Sequence, residues 1–185
     1  MHQLIIGRTM SGKTSYARAV VKNWPGRVLV MDIMQDDWAG KNVETFDDMT
    51  AFMAAAQDET DCLLVIDESG YSIDRYDVEH HWLATQSRHN GHSAVFIAQR
   101  YQQLAPIVRL QAAVLTAFQS GYKDSVLIGE EFNFPAAKDI IPNLRLLRAV
   151  KLTIGKSPSY IRVYPKSARV VKISSSRLDN ILGTG

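Results

Sequence analysis

With 185 residues, 46% of them hydrophobic and 22% charged, the chain can bury one sizeable core and has an ordinary globular composition. Its single cysteine, Cys62, excludes a disulfide framework, and no apolar run reaches the roughly 18 residues of a membrane span. The net charge of +2 hides a split, because residues 1–100 carry nine Lys/Arg against fourteen Asp/Glu and residues 101–185 twelve against five.

In chain order, Gln3-Leu4-Ile5-Ile6 is a short buried strand, and Gly7 interrupts it too early for a secretory signal. Thr14 to Trp24 reads as a helix with Tyr16, Val20 and Val21 on one face, stopped by Pro25-Gly26. Arg27 to Met31 is a second strand. A polar stretch with Asp36-Asp37, expected as a solvated loop, leads to a helix from Met49 to Gln57. Leu63 to Ile66 is a third strand, headed by Cys62, an expected half-buried and inert thiol. Asp77 to Arg88 is expected to be helical, followed by strands over Ser93–Ala98 and Ala113–Phe118. Such alternation predicts an open, mainly parallel α/β sheet covered on both faces. From Val150 the pattern becomes apolar–polar alternation over 150–154, 160–164 and 169–173, which predicts antiparallel strands at the sheet edge. The expected organisation is one domain over 1–185, with a core over 1–135 and a basic extension over 136–185.

Gly7-Arg8-Thr9-Met10-Ser11-Gly12-Lys13-Thr14 matches the phosphate-binding P-loop, between a strand and a helix. Its glycines let successive N–H groups curl around ATP phosphates at the positive end of the helix. Lys13 then reaches the phosphates, and Thr14 offers its hydroxyl to Mg²⁺. The strand Leu63–Ile66, placed beside the loop strand, ends in Asp67-Glu68. There Asp67 can join the magnesium shell through water, and Glu68 can polarise the attacking water. A strand inserted between these two would bring Gln99 towards the γ-phosphate. Glu68 favours hydrolysis over transfer to a small acceptor, so a P-loop nucleotide kinase ranks lower.

At these residues the chain resembles the FtsK/HerA superfamily of DNA-pumping ATPases, over residues 1 to roughly 130. Ser87-Arg88-His89-Asn90-Gly91-His92, the strand to Ala98 and its terminal Gln99-Arg100 carry the resemblance, with Ala117-Phe118-Gln119 and Lys123-Asp124-Ser125 downstream. Within that superfamily it is similar to genome-packaging ATPases of tailless, membrane-containing phages and related viruses. The resemblance implies a RecA-like fold of the additional-strand, catalytic-glutamate type, and the roles just given for Lys13, Thr14, Asp67, Glu68 and Gln99. It further implies a homo-oligomeric ring, pentamer or hexamer, driving double-stranded DNA into a preformed capsid at a portal or packaging vertex. The location implied is the cytoplasm of an infected host cell, or the virion's packaging vertex. Arg88 occupies the position of an arginine supplied in trans, with Arg100 and Arg109 behind it. Lys123-Asp124-Ser125 departs from the translocase branch, which carries an arginine there. A filamentous-phage-type assembly ATPase is the nearest alternative.

Ten basic residues against one acidic residue between Lys138 and Arg177 mark a polyanion-facing segment. Lys151, Lys156, Arg162, Lys166, Arg169 and Lys172 are the DNA-binding candidates, and Ser69 to Tyr76 is the stretch expected to grip DNA in a pore. His80-His81 and His89-x-x-His92 lack the cysteine or carboxylate that completes a metal spacing. Trp24, Trp38 and Trp82 are expected to pack.

Overall fold

Among the described residues, β1 (His2–Ile6) runs through the middle of a nine-stranded sheet of order β3-β2-β4-β5-β1-β6-β7-β8-β9. The other strands are β2 (Val28–Met31), β3 (Val43–Phe46), β4 (Leu63–Ile66), β5 (Ser93–Ala98) and β6 (Ala112–Phe118). β7 (Arg148–Thr153), β8 (Lys156–Tyr164) and β9 (Arg169–Ile173) complete it. The computed structural model describes residues 1–34, 36–38, 40, 42–67 and 80–174.

β1 to β6 pair in parallel, which requires both faces to be covered, and their four central members are almost wholly apolar. β7, β8 and β9 extend the β6 edge antiparallel, as the alternation predicts. β3 goes unread in the sequence because it is an edge strand, Val-Glu-Thr-Phe, whose two middle residues are exposed. β4 is not the immediate neighbour of the loop strand: β5 lies between them, paired with each.

The helices among the described residues are α1 (Lys13–Lys22), α2 (Met49–Asp58), α3 (Trp82–Thr85), α4 (Pro106–Gln111), α5 (Tyr122–Glu131) and α6 (Ala137–Ile140). Residues 77–79 of the helix expected up to Arg88 lie outside the described residues. Beyond them the chain makes only α3 and a 3₁₀ turn over Ser87–Asn90. α1 packs Tyr16, Ala17 and Val21 on one face of the sheet, with Val30, Val65 and Ile97 beneath. The other helices cover the opposite face, where Phe52, Leu83, Val108 and Ile128 meet Leu4, Leu64 and Phe96. Trp38 is buried and its indole donates to Asp32, whereas Trp24 and Trp82 are half-buried. Cys62 is wholly buried rather than half-buried, and burial pushes its thiol up to about 12.

At the start of β1, His2 is 3% exposed and its Nδ1 accepts the Ala94 N–H at 3.1 Å. Burial, with the nearby N-terminal and Arg88 charges, lowers its pKa to about 4. The folded state therefore binds the proton less readily than the unfolded chain. Stability contributed by the neutral ring is present above about pH 6.5 and lost as pH falls towards 4. Urea unfolding across that window should show a pH dependence that His2→Leu flattens. Carboxylate titration is common to both proteins, so the difference between the two curves isolates the ring.

Candidate functional site

Register brings the chemistry to one end of the sheet. Ile6 is level with Ala98 on one side and Ala117 on the other, so Gly7, Gln99 and Phe118 emerge side by side. Three strands then hold the P-loop by its backbone. The Gly7 N–H donates to Ala98 O at 3.3 Å and the Arg8 N–H to Gln119 O at 3.0 Å. The Leu147 N–H, from the residue before β7, donates to Ser11 O at 3.2 Å.

The loop leads directly into α1, whose N-terminus has no side-chain cap, so its first-turn amides face the loop. Lys13 is 7% exposed, and its ammonium donates to Arg8 O at 3.1 Å, lying back along the loop. Arg8, Thr9 and Met10 are exposed at the rim, whereas Thr14 is half-buried beneath it. Ser11 is 6% exposed and its hydroxyl lacks a partner among the described residues. A Cβ at Gly7 would stand 2.6 Å from the Phe118 Cβ and 2.7 Å from Ser11 Oγ, so only glycine fits. Gly12, at φ +114°, would put a Cβ 2.9 Å from Leu147 Cδ2.

Asp67 is 8% exposed at the end of β4. The register of Ile66 with Phe96 sets Asp67 level with Ile97, two strand spacings, or about 9.6 Å, from the loop strand. A carboxylate and a hydroxyl across that gap are hard oxygen donors of the kind Mg²⁺ takes together with its waters, so these residues fit the ion. Glu68 and the stretch Ser69 to Tyr76 lie outside the described residues.

A cleft of about 580 Å³ opens beside the loop, lined by Arg8, Thr9, Gln99, Arg100, Gly121, Tyr122, Lys123 and Asp124. Its organiser is Asp124, a residue that sequence reading left without a role. At 2% exposure it accepts from Arg100 Nε at 3.5 Å and from the Gln102 N–H at 3.1 Å. This fixes the turn that carries Gln99. An acid in the first turn of α5, three residues beyond a Ser-Gly break, was the available signal. A larger cleft of about 710 Å³ lies at the far end of α1, between Asn23, Trp24 and Arg169, away from this chemistry.

The arginines separate clearly. Arg100 is tied to Asp124, and Arg109 to Glu131 at 3.2 Å with its guanidinium over Tyr101. Arg88 is exposed, before β5 and hence at the end of the sheet opposite the loop. β5 has six residues, so about 20 Å separates Arg88 from its own P-loop. Among the histidines, His92 is consumed by the fold, accepting from the Cys62 N–H at 3.0 Å and facing Ala56 O at 2.8 Å. Asp36 is exposed and pairs with Arg18 at 3.6 Å.

The six basic candidates do not share one surface. Arg162 and Arg169 point to one face of the β7–β9 sheet, Lys151 and Lys172 to the other, and Lys156 and Lys166 sit near its turns. No helix among the described residues is long and apolar enough to cross a membrane.

No protein-family model matches the sequence, and no curated protein matches it either. Solved structures do. The genome packaging NTPase B204 of Sulfolobus turreted icosahedral virus 2, in complex with sulfate, superposes with a TM-score of 0.71 at 18% identity, covering 85% of this chain and 94% of B204. The chain has the fold of B204. B204 in complex with ATP-gammaS gives a TM-score of 0.67 at 18% identity, covering 94% of this chain and 96% of that one. The pCW3 conjugation coupling protein TcpA, with ATPgS, gives 0.65 at 15% identity, covering 89% of this chain and 60% of TcpA. The resemblance drawn from Ser87–Arg100 and the strand ends is thus matched in fold by a packaging NTPase and a conjugation coupling protein.

Gly12→Ala should cost about 1–3 kcal/mol in unfolding free energy, from backbone strain and the contact with Leu147. Adding Leu147→Ala should remove the clash and leave the strain, so a double-mutant cycle should show coupling between the two positions.

Proposed function

We propose that this chain is a viral genome-packaging ATPase, coupling ATP hydrolysis to the translocation of double-stranded DNA into a preformed capsid. The observation that carries the reading is the meeting of the P-loop, Asp67 and Gln99 at one end of a sheet with B204 topology.

In this reading the uncapped first turn of α1 and the loop amides hold the β- and γ-phosphates. Lys13 swings from Arg8 O to the phosphates, exchanging a carbonyl for an anion. The Thr14 hydroxyl and the Asp67 carboxylate are the groups that would hold Mg²⁺, which would neutralise charge on the phosphate oxygens. Glu68 orients and deprotonates the attacking water, and Gln99 registers the γ-phosphate from the neighbouring strand end. The Asp124 anchor holds Gln99 in place through the 99–102 turn.

Arg88 acts in trans, across a subunit interface in a ring of five or six chains. Its distance from its own loop rules out a role there, and the ion pairs of Arg100 and Arg109 hold those two back. Such an arginine is worth about 10³–10⁵ in rate. The ring works in the cytoplasm of an infected cell, against a portal or packaging-vertex protein.

ATP turnover with and without duplex DNA, beside electron microscopy for rings, tests the proposal; a DNA-indifferent ATPase that forms no rings overturns it. Glu68→Gln should keep ATP affinity and lower turnover by about 10²-fold or more, whereas Lys13→Ala should lose both. Mixing Arg88→Ala with Lys13→Ala subunits should restore part of the activity, because some interfaces then carry both groups. Failure to recover in mixed rings shown to form would remove Arg88 from the trans role.

A further inference from the structure

The antiparallel register sorts the basic extension into two unlike faces. Arg148 stands opposite Arg162, and Arg162 opposite Val171; Tyr164 stands opposite Arg169. Directly opposed residues share a face, so Arg148, Arg162, Tyr164 and Arg169 lie together in a diagonal row across three strands. On the reverse face, Ala149, Ile161, Val163 and Val170 are packed in the cluster that includes α1 residues Tyr16, Ala17 and Val21. Lys151 and Lys172 belong to that reverse face by their register with Ser159 and Ile161, Lys151 half-buried and Lys172 exposed beyond the packed residues.

The arginine row has features of a surface built for an anion larger than one side chain. Arg162 and Arg169 are exposed, and so is Arg145 just before the row. The Arg162 guanidinium lies 4.8 Å from the centre of the Tyr164 ring, which steadies it without neutralising it. Burial, and then the positive charges of Arg162 and Arg145, hold the Arg148 guanidinium below its ordinary range. Positive charges gathered on one face draw a row of phosphates to it.

We propose that the face bearing Arg145, Arg148, Arg162, Tyr164 and Arg169 is the docking surface for a nucleic-acid backbone, and that Lys151 and Lys172 take no part. The proposal rests on the DNA-motor reading and narrows its six basic candidates to one face. Its contacts are with phosphates, so the surface binds duplex without regard to sequence.

The test is fluorescence anisotropy with a labelled random-sequence duplex of about 30 base pairs over about 50–200 mM KCl, the range in which counterion release dominates. Arg162→Ala/Arg169→Ala should reduce the slope of log affinity against log salt by about two and weaken binding roughly tenfold. Arg162→Lys/Arg169→Lys should keep the slope, because a phosphate contact needs charge rather than a fork. Lys151→Ala/Lys172→Ala should leave slope and affinity at wild-type values, and circular dichroism should show all three variants folded. Equal losses from the lysine pair, or none from the arginine pair, overturn the assignment while the wild-type protein still binds DNA. So does a loss confined to a fluorescent ATP analogue or to anionic vesicles, which would reassign the face to a nucleotide or a membrane. A wild-type protein without salt-dependent duplex binding would remove the packaging reading itself.

Discussion

Three backbone hydrogen bonds, from Gly7 to Ala98, from Arg8 to Gln119 and from Leu147 to Ser11, hold the glycine loop open as a cradle. A loop of this kind cannot keep its shape alone, because its glycines lose more conformational freedom on ordering than other residues. Its geometry is therefore borrowed from β5, β6 and the entry to β7, which flank it on two sides. The parallel registers of β1 with β5 and β6 are the precondition: slipping either by one residue would turn the alternating side chains to the wrong face. Leu4, Ile5 and Ile6, all at 0% exposure, anchor that register by filling cores on both sides of the sheet.

Much of this is legible in the chain. Continuous apolar runs at 63–66 and 93–98 can only be central strands of a covered sheet, and the glycine spacing places the loop between strand and helix. The inserted strand follows once Gln99 is assigned to the γ-phosphate side. What could not be read are features set by neighbours distant in sequence. β3 is an edge strand whose exposed Glu44 and Thr45 carry no apolar signal. Asp124 has a legible place in the first turn of α5, but its burial to 2% exposure comes from Arg100 and the 101–103 turn, which the local sequence does not announce. Leu147 reads as one more leucine in Leu144-Arg145-Leu146-Leu147. Its left-handed backbone, at φ 60°, turns its N–H onto the P-loop, and nothing local in the sequence announces that.

Composition was the coarser guide for the basic segment. Counting charges over 138–177 finds a polyanion surface but treats Lys151 and Arg162 alike. Pairing decides otherwise, because alternation sends neighbouring cations to opposite faces and α1 covers one of them. The face is a property of register, and register depends on pairings between segments far apart in sequence, beginning with Ala117 opposite Val150.

Leu147 joins the two ends of this arrangement. Its N–H holds Ser11 of the loop at 3.2 Å, and its carbonyl accepts from the Val163 N–H at 2.9 Å. Val163 lies on β8 between Arg162 and Tyr164, the stacked pair of the basic face. On the motor reading, a displacement of β8 under load on those arginines would reach the phosphate loop through these two hydrogen bonds and the left-handed Leu147. On that reading, the segment between α6 and β7 therefore does more than connect them: it is a hydrogen-bonded route between the nucleotide loop and the basic face.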